Sequence, residues 1–390
     1  MDFKPLPFRS TREQYEQQAA ELLAAHRSGD SGATRIFHEK HPRFLDAKIP
    51  WLPKNLPDSE IQSAALDLAD AQLAIARCYD FQDWPALAEY VEAVTQDGSP
   101  VCQFESAVEA VITGDLPTLE SVLRGNPELV RARSTRITHF DPPVHRATLL
   151  HYVGANGVEG YRQKTPMNAV EIAKTLLQAG AEVDALADMY GGHYATMSML
   201  VSSCHPANAG VQVALVETLV DFGAAVEARG SAQWGSPLMT ALAFGYLRAA
   251  EALVRRGARV DNIAAAAGLG RLADAAQLLA TADPESRHRA LVLAAQHGHV
   301  EIVRLLLDAG EDPNRYNPDG NHSHSTPLHQ SALAGHRAVV QLLVERGARL
   351  DIKDTIYQGT PLGWAMYAGQ TEIEAYLRAQ GAKTAQEMGR

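Results

Sequence analysis

The chain reads as an all-α solenoid of about eight helical hairpins preceded by an N-terminal helical domain. The first observation is a repeated unit. Residues 326–348, TPLHQSALAGHRAVVQLLVERGA, give a Thr-Pro turn, an Ala-rich helix, a Gly-His turn and a second helix stopped by Gly347. Residues 360–382, TPLGWAMYAGQTEIEAYLRAQGA, match it element for element. One such hairpin cannot bury its own apolar face, so the units must stack. The second observation is a set of equivalent apolar pairs: Leu176-Leu177, Leu219-Val220, Leu253-Val254, Leu305-Leu306 and Leu342-Leu343. Their helical periodicity predicts a continuous buried seam. The third is composition. Hydrophobic residues make up 46% but aromatics only 6%, which suits closely stacked, small-faced helices.

Taken in order, Ser10 and Glu13 read as a capping box opening a helix that ends near His26. PWLPKNLP, residues 50–57, is a stiff connection. A second helix is expected over residues 59–79. Asp83 is the expected N-cap of a third, with Pro85 in its first turn, and that helix extends to Val94. Phe81 and Trp84 are expected to anchor this module onto the first repeat unit. A degenerate first unit starts at Phe104 and turns at Gly114-Asp115. Further units span residues 148–181, 196–224, 236–258, 263–279 and 289–310, and the last two open at Thr326 and Thr360.

The strings TPLH, Gly-His, Leu-Leu and Gly-Ala resemble the ankyrin repeat. That resemblance implies a period of about 33 residues, a concave side lined by the first helix of each unit, outer second helices, and connections projecting as fingers. It also implies that His151 and His329, in the TPLH histidine slot, bond to neighbouring backbone. LADAQLAIARCYDFQDWPALAEYVEAV, residues 68–94, resembles a helical module preceding ankyrin arrays in a group of bacterial proteins. The expected domains are a helical module over residues 1–100 and an ankyrin array over residues 104–390.

Net charge is −11, with Lys and Arg dispersed, which argues against a nucleic-acid partner. Cys78, Cys102 and Cys204 are scattered, without CxxC spacing, and read as reduced thiols. The N-terminus lacks an apolar secretory core, and no run of about 18 apolar residues exists to span a membrane. A cytoplasmic location is expected. Nucleophile-elbow, phosphate-loop and HExxH signatures are absent from the sequence, and no cofactor is expected. His322 and His324 alternate on an extended segment, but no recognised ligand spacing completes a metal set.

Departures from the repeat mark the candidate site. The second unit carries an insert after HYVGANG, and the third carries SSCHPANAG at the equivalent point. Between them lies the unusual finger ADMYGGHYAT. Stacking in register predicts that the two inserts form one polar ledge. The candidate binding residues are His151, Tyr152, Asn156, Arg162, Tyr190, Ser202, Ser203, Trp234 and Tyr246. The candidate acid–base residues are His193, His205, Glu159 and Asp188, with Asp141 and His145 of the DPPVH loop as further partners. The principal expectation is recognition of a protein partner through the concave face and fingers, with Asp188, Tyr190, Trp234, Tyr246 and Trp364 as anchors. The alternative is a small-molecule pocket, or a cofactor-independent hydrolase, lyase or isomerase site, in which Arg162 holds an anion. A third reading makes the inserts braces between the helical module and the array.

Overall fold

The computed structural model describes residues 2–157, 159–227 and 235–389. The chain packs as two compact units, Met1–Ala224 and Ala225–Arg390.

In the first unit, α1 (Arg12–Arg27), α2 (Ser31–Lys40), α3 (Asp58–Gln62), α4 (Leu68–Cys78) and α5 (Trp84–Thr95) precede the repeats. Their core gathers Tyr15, Leu22, Phe37, Ile75, Tyr79 and Phe81. Three expectations are corrected here. The first capping box is Thr11 with Gln14, one residue later than read. α2 was not foreseen. The single helix over 59–79 is two helices, because Asp67 starts a new one. Asp67 Oδ1 accepts from Asp70 N at 3.1 Å and Asp70 Oδ2 accepts from Asp67 N at 2.9 Å, a reciprocal cap that satisfies otherwise orphaned donors.

The repeats of this unit are α6 (Pro100–Thr113) with α7 (Leu116–Gly125), α8 (Leu149–Gly154) with α9 (Ala169–Gln178), and α10 (Thr196–Val201) with α12 (Gln212–Asp221). A short α11 (Cys204–Asn208) fills the third unit's insert. First helices pack in series, α6 on α8 on α10, and second helices do likewise, α7 on α9 on α12.

The unusual finger is a β-hairpin, β1 (Leu186–Met189) antiparallel to β2 (Gly192–Ala195). Its two-residue turn has positive φ at both Tyr190 (50°) and Gly191 (70°). That geometry matches the right-handed twist of paired strands. Tyr190 therefore occupies a position that normally favours Gly or Asn, and its ring stands at the hairpin tip.

The second unit stacks five hairpins: α13 (Pro237–Ala243) with α14 (Leu247–Arg255), α15 (Ile263–Gly268) with α16 (Leu272–Leu279), α17 (Pro284–Gln296) with α18 (Val300–Asp308), α19 (Pro327–Ala334) with α20 (Arg337–Glu345), and α21 (Pro361–Tyr367) with α22 (Thr371–Ala379). A short α23 (Ala385–Met388) follows. The core is aliphatic, with Ile263, Leu291, Leu306, Leu328, Leu343 and Leu362 essentially inaccessible. Each apolar pair read from the sequence contributes a fully packed member: Leu176, Leu219, Leu253, Leu306 and Leu343.

Histidines at the turns knit these hairpins together. His297 Nε2 lies 2.9 Å from Leu242 O, His299 Nε2 3.1 Å from Gly268 O and His336 Nε2 2.9 Å from Gln296 O. Each carbonyl lies in the last turn of an earlier helix, where the i to i−4 ladder runs out, and the imidazole adds a partner there. His322 of the candidate metal pair is also used this way, 2.8 Å from Ala243 O.

Candidate functional site

The two inserts of the first unit meet where they begin. α8 ends on Ala155 in the left-handed region (φ 48°). Asn156 Nδ2 then donates to Ser202 Oγ at 2.6 Å, and Ser203 Oγ donates to Ala155 O at 2.7 Å. Next, the chain passes beneath the hairpin tip at Gly157 (φ 72°). A Cβ there would sit 2.6 Å from Met189 Sδ and 3.0 Å from Tyr190 Cε2, so only glycine fits. Beyond this point the ledge is not continuous. The remainder of the second-unit insert turns inward, to the helical module.

That inward turn carries Glu159 and Arg162 into a buried ion cluster, which corrects the expectation that Arg162 faces an anionic ligand. Its guanidinium is 2% exposed, and NH1 lies 2.6 Å from Glu105 Oε2. Arg162 NH2 also donates to Tyr90 Oη at 3.0 Å. Arg136 Nε stands 3.4 Å from Glu159 Oε1, while Arg136 NH2 donates to Tyr79 O at 2.9 Å and NH1 to Tyr161 Oη at 3.0 Å. The Arg136 guanidinium also lies 4.1 Å from the Phe81 ring centroid and 4.6 Å from that of Tyr90. Two guanidinium groups thus face two carboxylates in a site without water access. Tyr161 N, from the insert, donates to Asp80 Oδ2 at 3.3 Å. The pairs are thus Arg162–Glu105 and Arg136–Glu159.

Electrostatics follow from this packing. Burial alone would raise the Glu159 carboxyl. The charge of Arg136, the hydrogen bond from His145 and the charge of Arg162 outweigh it and hold the group down at about 2. Burial pushes the Tyr90 and Tyr152 phenols well up, so both remain protonated donors. Tyr152 uses its proton on Glu159 Oε1 at 3.3 Å, so it is committed to the cluster and turned away from solvent. His145 adds another contact. Ala147 N donates to His145 Nδ1, so the ring proton sits on Nε2 and is donated to Glu159 Oε1 at 2.9 Å.

His151 is equally structural. Thr148 N donates to its Nδ1, and Nε2 reaches Tyr194 O at 3.1 Å. Burial holds it down at about 4, so the ring is neutral. His329 repeats the arrangement with Thr326 and Gly359 O.

The acid–base candidates separate. His193 Nδ1 lies 2.7 Å from Asp188 Oδ1 at the hairpin's solvent edge. Glu159 is in the buried cluster with His145 instead. His205 sits on α11, where its backbone N–H donates to Ser203 Oγ. Tyr246 belongs to the second unit, just ahead of α14. Trp234 lies outside the described residues. One cleft in the first unit, of about 490 Å³, has Trp51, Phe140 and Tyr190 as walls and Asp141 and Asp188 in its lining. His139, His145, Gly157 and Gln163 also line it. Among the described residues, no three His, Cys, Asp or Glu side chains converge as a metal ligand set.

Sequence reasoning missed Glu105, Arg136, Tyr90 and Trp51. Glu105 was detectable, because it occupies an apolar stripe with Val101, Val108 and Ile112 at helical spacing. A carboxylate in such a stripe requires a buried cation. Arg136 and Trp51 lie on connections without periodicity and left no comparable signal.

A family model for ankyrin repeats in three copies matches residues 262–354 and 291–387. The second unit carries ankyrin repeats. The chain is 40% identical over 103 residues to mouse ankyrin repeat and SAM domain-containing protein 6, covering 26% of this chain and 11% of that protein. It is 30% identical over 220 residues to Caenorhabditis elegans ankyrin repeat and KH domain-containing protein mask-1, covering 54% of this chain and 8% of that protein. It is 39% identical over 90 residues to mouse protein fem-1 homolog A-like, covering 23% of this chain and 13% of that protein. The chain therefore spans about a tenth of the length of these relatives. All three relatives are animal proteins. In the described residues, no helix is long and apolar enough to cross a membrane.

Proposed function

We propose that the protein recognises a macromolecular partner, most simply another protein, through the fingers and first helices of its C-terminal ankyrin repeats. The observation that carries this reading is the exposure of Tyr357 (59%) and Tyr367 (89%) in a chain poor in aromatics. Tyr357 lies on a finger and Tyr367 ends α21, the first helix of its hairpin, which the ankyrin resemblance assigns to the concave side. Exposed tyrosines are rigid, amphipathic contact residues of the kind that dominate interface energetics. The surface beneath them is braced. Asp354 accepts from Gly359 N at 2.7 Å and from Trp364 Nε1 at 3.0 Å, which fixes the finger. Trp364 therefore supports the surface from below, and the anchoring role assigned to it passes to the two tyrosines.

On this reading, residues 1–100 form a helical module of the type that precedes bacterial ankyrin arrays, residues 104–390 form the array, and the protein works in the cytoplasm. The brace reading of the second-unit insert is favoured by the Arg162–Glu105 pair, which joins the insert to α6 at 2.6 Å. Photocrosslinking from a benzoylphenylalanine at position 367 tests the partner proposal. A defined crosslinked partner should then lose at least about tenfold in affinity with Tyr357→Ala/Tyr367→Ala, while the melting temperature stays unchanged. Equal affinity of the double variant would sink the reading.

A further inference from the structure

The cleft of the first unit has a composition that the ankyrin scaffold does not require. Its three walls are Trp51 (58% exposed), Phe140 (41%) and Tyr190 (52%), contributed by three separate segments. Asp141 and Asp188 stand between them, and no lysine or arginine lines the space. The nearby guanidiniums of Arg136 and Arg162 are matched by Glu105 and Glu159 inside the protein. Both ring nitrogens of His145 are engaged within the protein, by Glu159 and by Ala147 N. The lining thus presents carboxylates and aromatic faces, and the cationisable side chains beside it are imidazoles: His193, 2.7 Å from Asp188, and His139, 3.6 Å from Asp80.

We propose that this cleft binds an organic cation, an ammonium group carrying apolar substituents. Aromatic faces attract a cation through their quadrupole, and a methylated ammonium gives up little hydration on entering such a cage. The carboxylates supply the long-range attraction. A volume of about 490 Å³ lies within the ordinary range of small-ligand sites and exceeds what an ammonium group alone fills, so the ligand brings an apolar body with it. The walls are also held in place beforehand. Asp188 N donates to His145 O at 2.7 Å, tying the hairpin to the cleft floor. Tyr190 is fixed by its tight turn and by contact with the Tyr194 ring, 6.2 Å between centroids. Phe140 packs against the His139 ring at 4.2 Å. Such preorganisation lowers the ordering cost of binding. This inference is independent of the tyrosine surface proposed for the C-terminal repeats, and either can fail without the other.

The cation is either a free small molecule or a methylated lysine side chain on another protein, and both present the same group. The experiment is calorimetric titration of the full chain with three probes: choline, its neutral isostere 3,3-dimethylbutan-1-ol, and a short peptide containing trimethyllysine. A cationic probe should bind at least about tenfold more tightly than the neutral isostere. Tighter binding of the peptide assigns the source to a protein side chain, and tighter binding of choline assigns it to a metabolite. Trp51→Ala should abolish measurable binding without lowering the melting temperature, since that ring is largely outside the core. Asp141→Asn and Asp188→Asn should each weaken binding severalfold. Equal affinity for the neutral isostere, absence of saturable binding by both cations, or full binding by Trp51→Ala would overturn the proposal.

Discussion

The two units use one repeat grammar to build interiors of opposite character. In the second unit the core is aliphatic, and histidines at the turns bond to helix-end carbonyls. In the first, the stretched repeats carry two arginines and two glutamates inside. The difference teaches what an insert does in a stacked array. Lengthening the connection between two helices frees it from the repeat geometry, and here its far half reaches back to the helical module. The cluster fixes which groups meet, because a buried charge with the wrong neighbour is far costlier than a misplaced aliphatic contact.

The largest test of this contrast is Arg162→Ala, which leaves Glu105 buried without its closest cation. A loss of about 3–5 kcal/mol is expected in denaturant unfolding of the full chain. The double variant Glu105→Leu/Arg162→Met should be clearly more stable than Arg162→Ala, since no lone charge remains. Additive losses would show that the pair acts only through packing.

Leu343→Ala is the corresponding test in the aliphatic unit, with an expected cost of about 2–4 kcal/mol from transfer and cavity terms. No second substitution in a charged partner should rescue it. Gly157→Ala should cost about 1–3 kcal/mol, through the left-handed backbone and the contact with Met189 Sδ. Met189→Ala should relieve only part of that loss, since the left-handed backbone at position 157 remains.

The last test is in pH dependence. Burial holds His151, His297 and His329 down at about 4, below the ordinary 6.5. A depressed folded value means the unfolded chain takes up the proton first. Their contribution is therefore complete above pH 6.5 and is lost progressively as pH falls to about 4. Glu159, held at about 2 against an ordinary 4.5, contributes fully above pH 4.5 and loses its contribution between 4.5 and 2. His329→Gln should flatten the decline between pH 6.5 and 4 by up to about 1.4 kcal/mol per pH unit. An unchanged slope would mean that His329 is protonated in the folded protein. The second unit should accordingly feel mild acid before the charge cluster of the first does.

Much of the architecture was legible because periodicity is local. Leu342 and Leu343 sit on a stripe that any reader of the sequence can draw, and Gly347 ends the helix whatever surrounds it. The turn at Gly114-Asp115 and the cap at Asp83 were legible for the same reason: both act on neighbouring backbone. The helix break at Asp67 was missed because its capping partner is another aspartate, where a Glu or Gln is the usual signal. Of the site, the unusual inserts and the finger were visible in outline. The direction in which Arg162 points was not.

Residue order alone determined the helices, their turns and the stacking of like units, since hydrogen bonds from i to i−4 and apolar stripes involve residues close in the chain. Only the tertiary structure decided that Arg162 meets Glu105, 57 positions away by subtraction of their numbers, and that Trp51, Phe140 and Tyr190 enclose one cleft. Those meetings depend on how loops without periodicity close over distance, and nothing in the local spacing of residues encodes the closure.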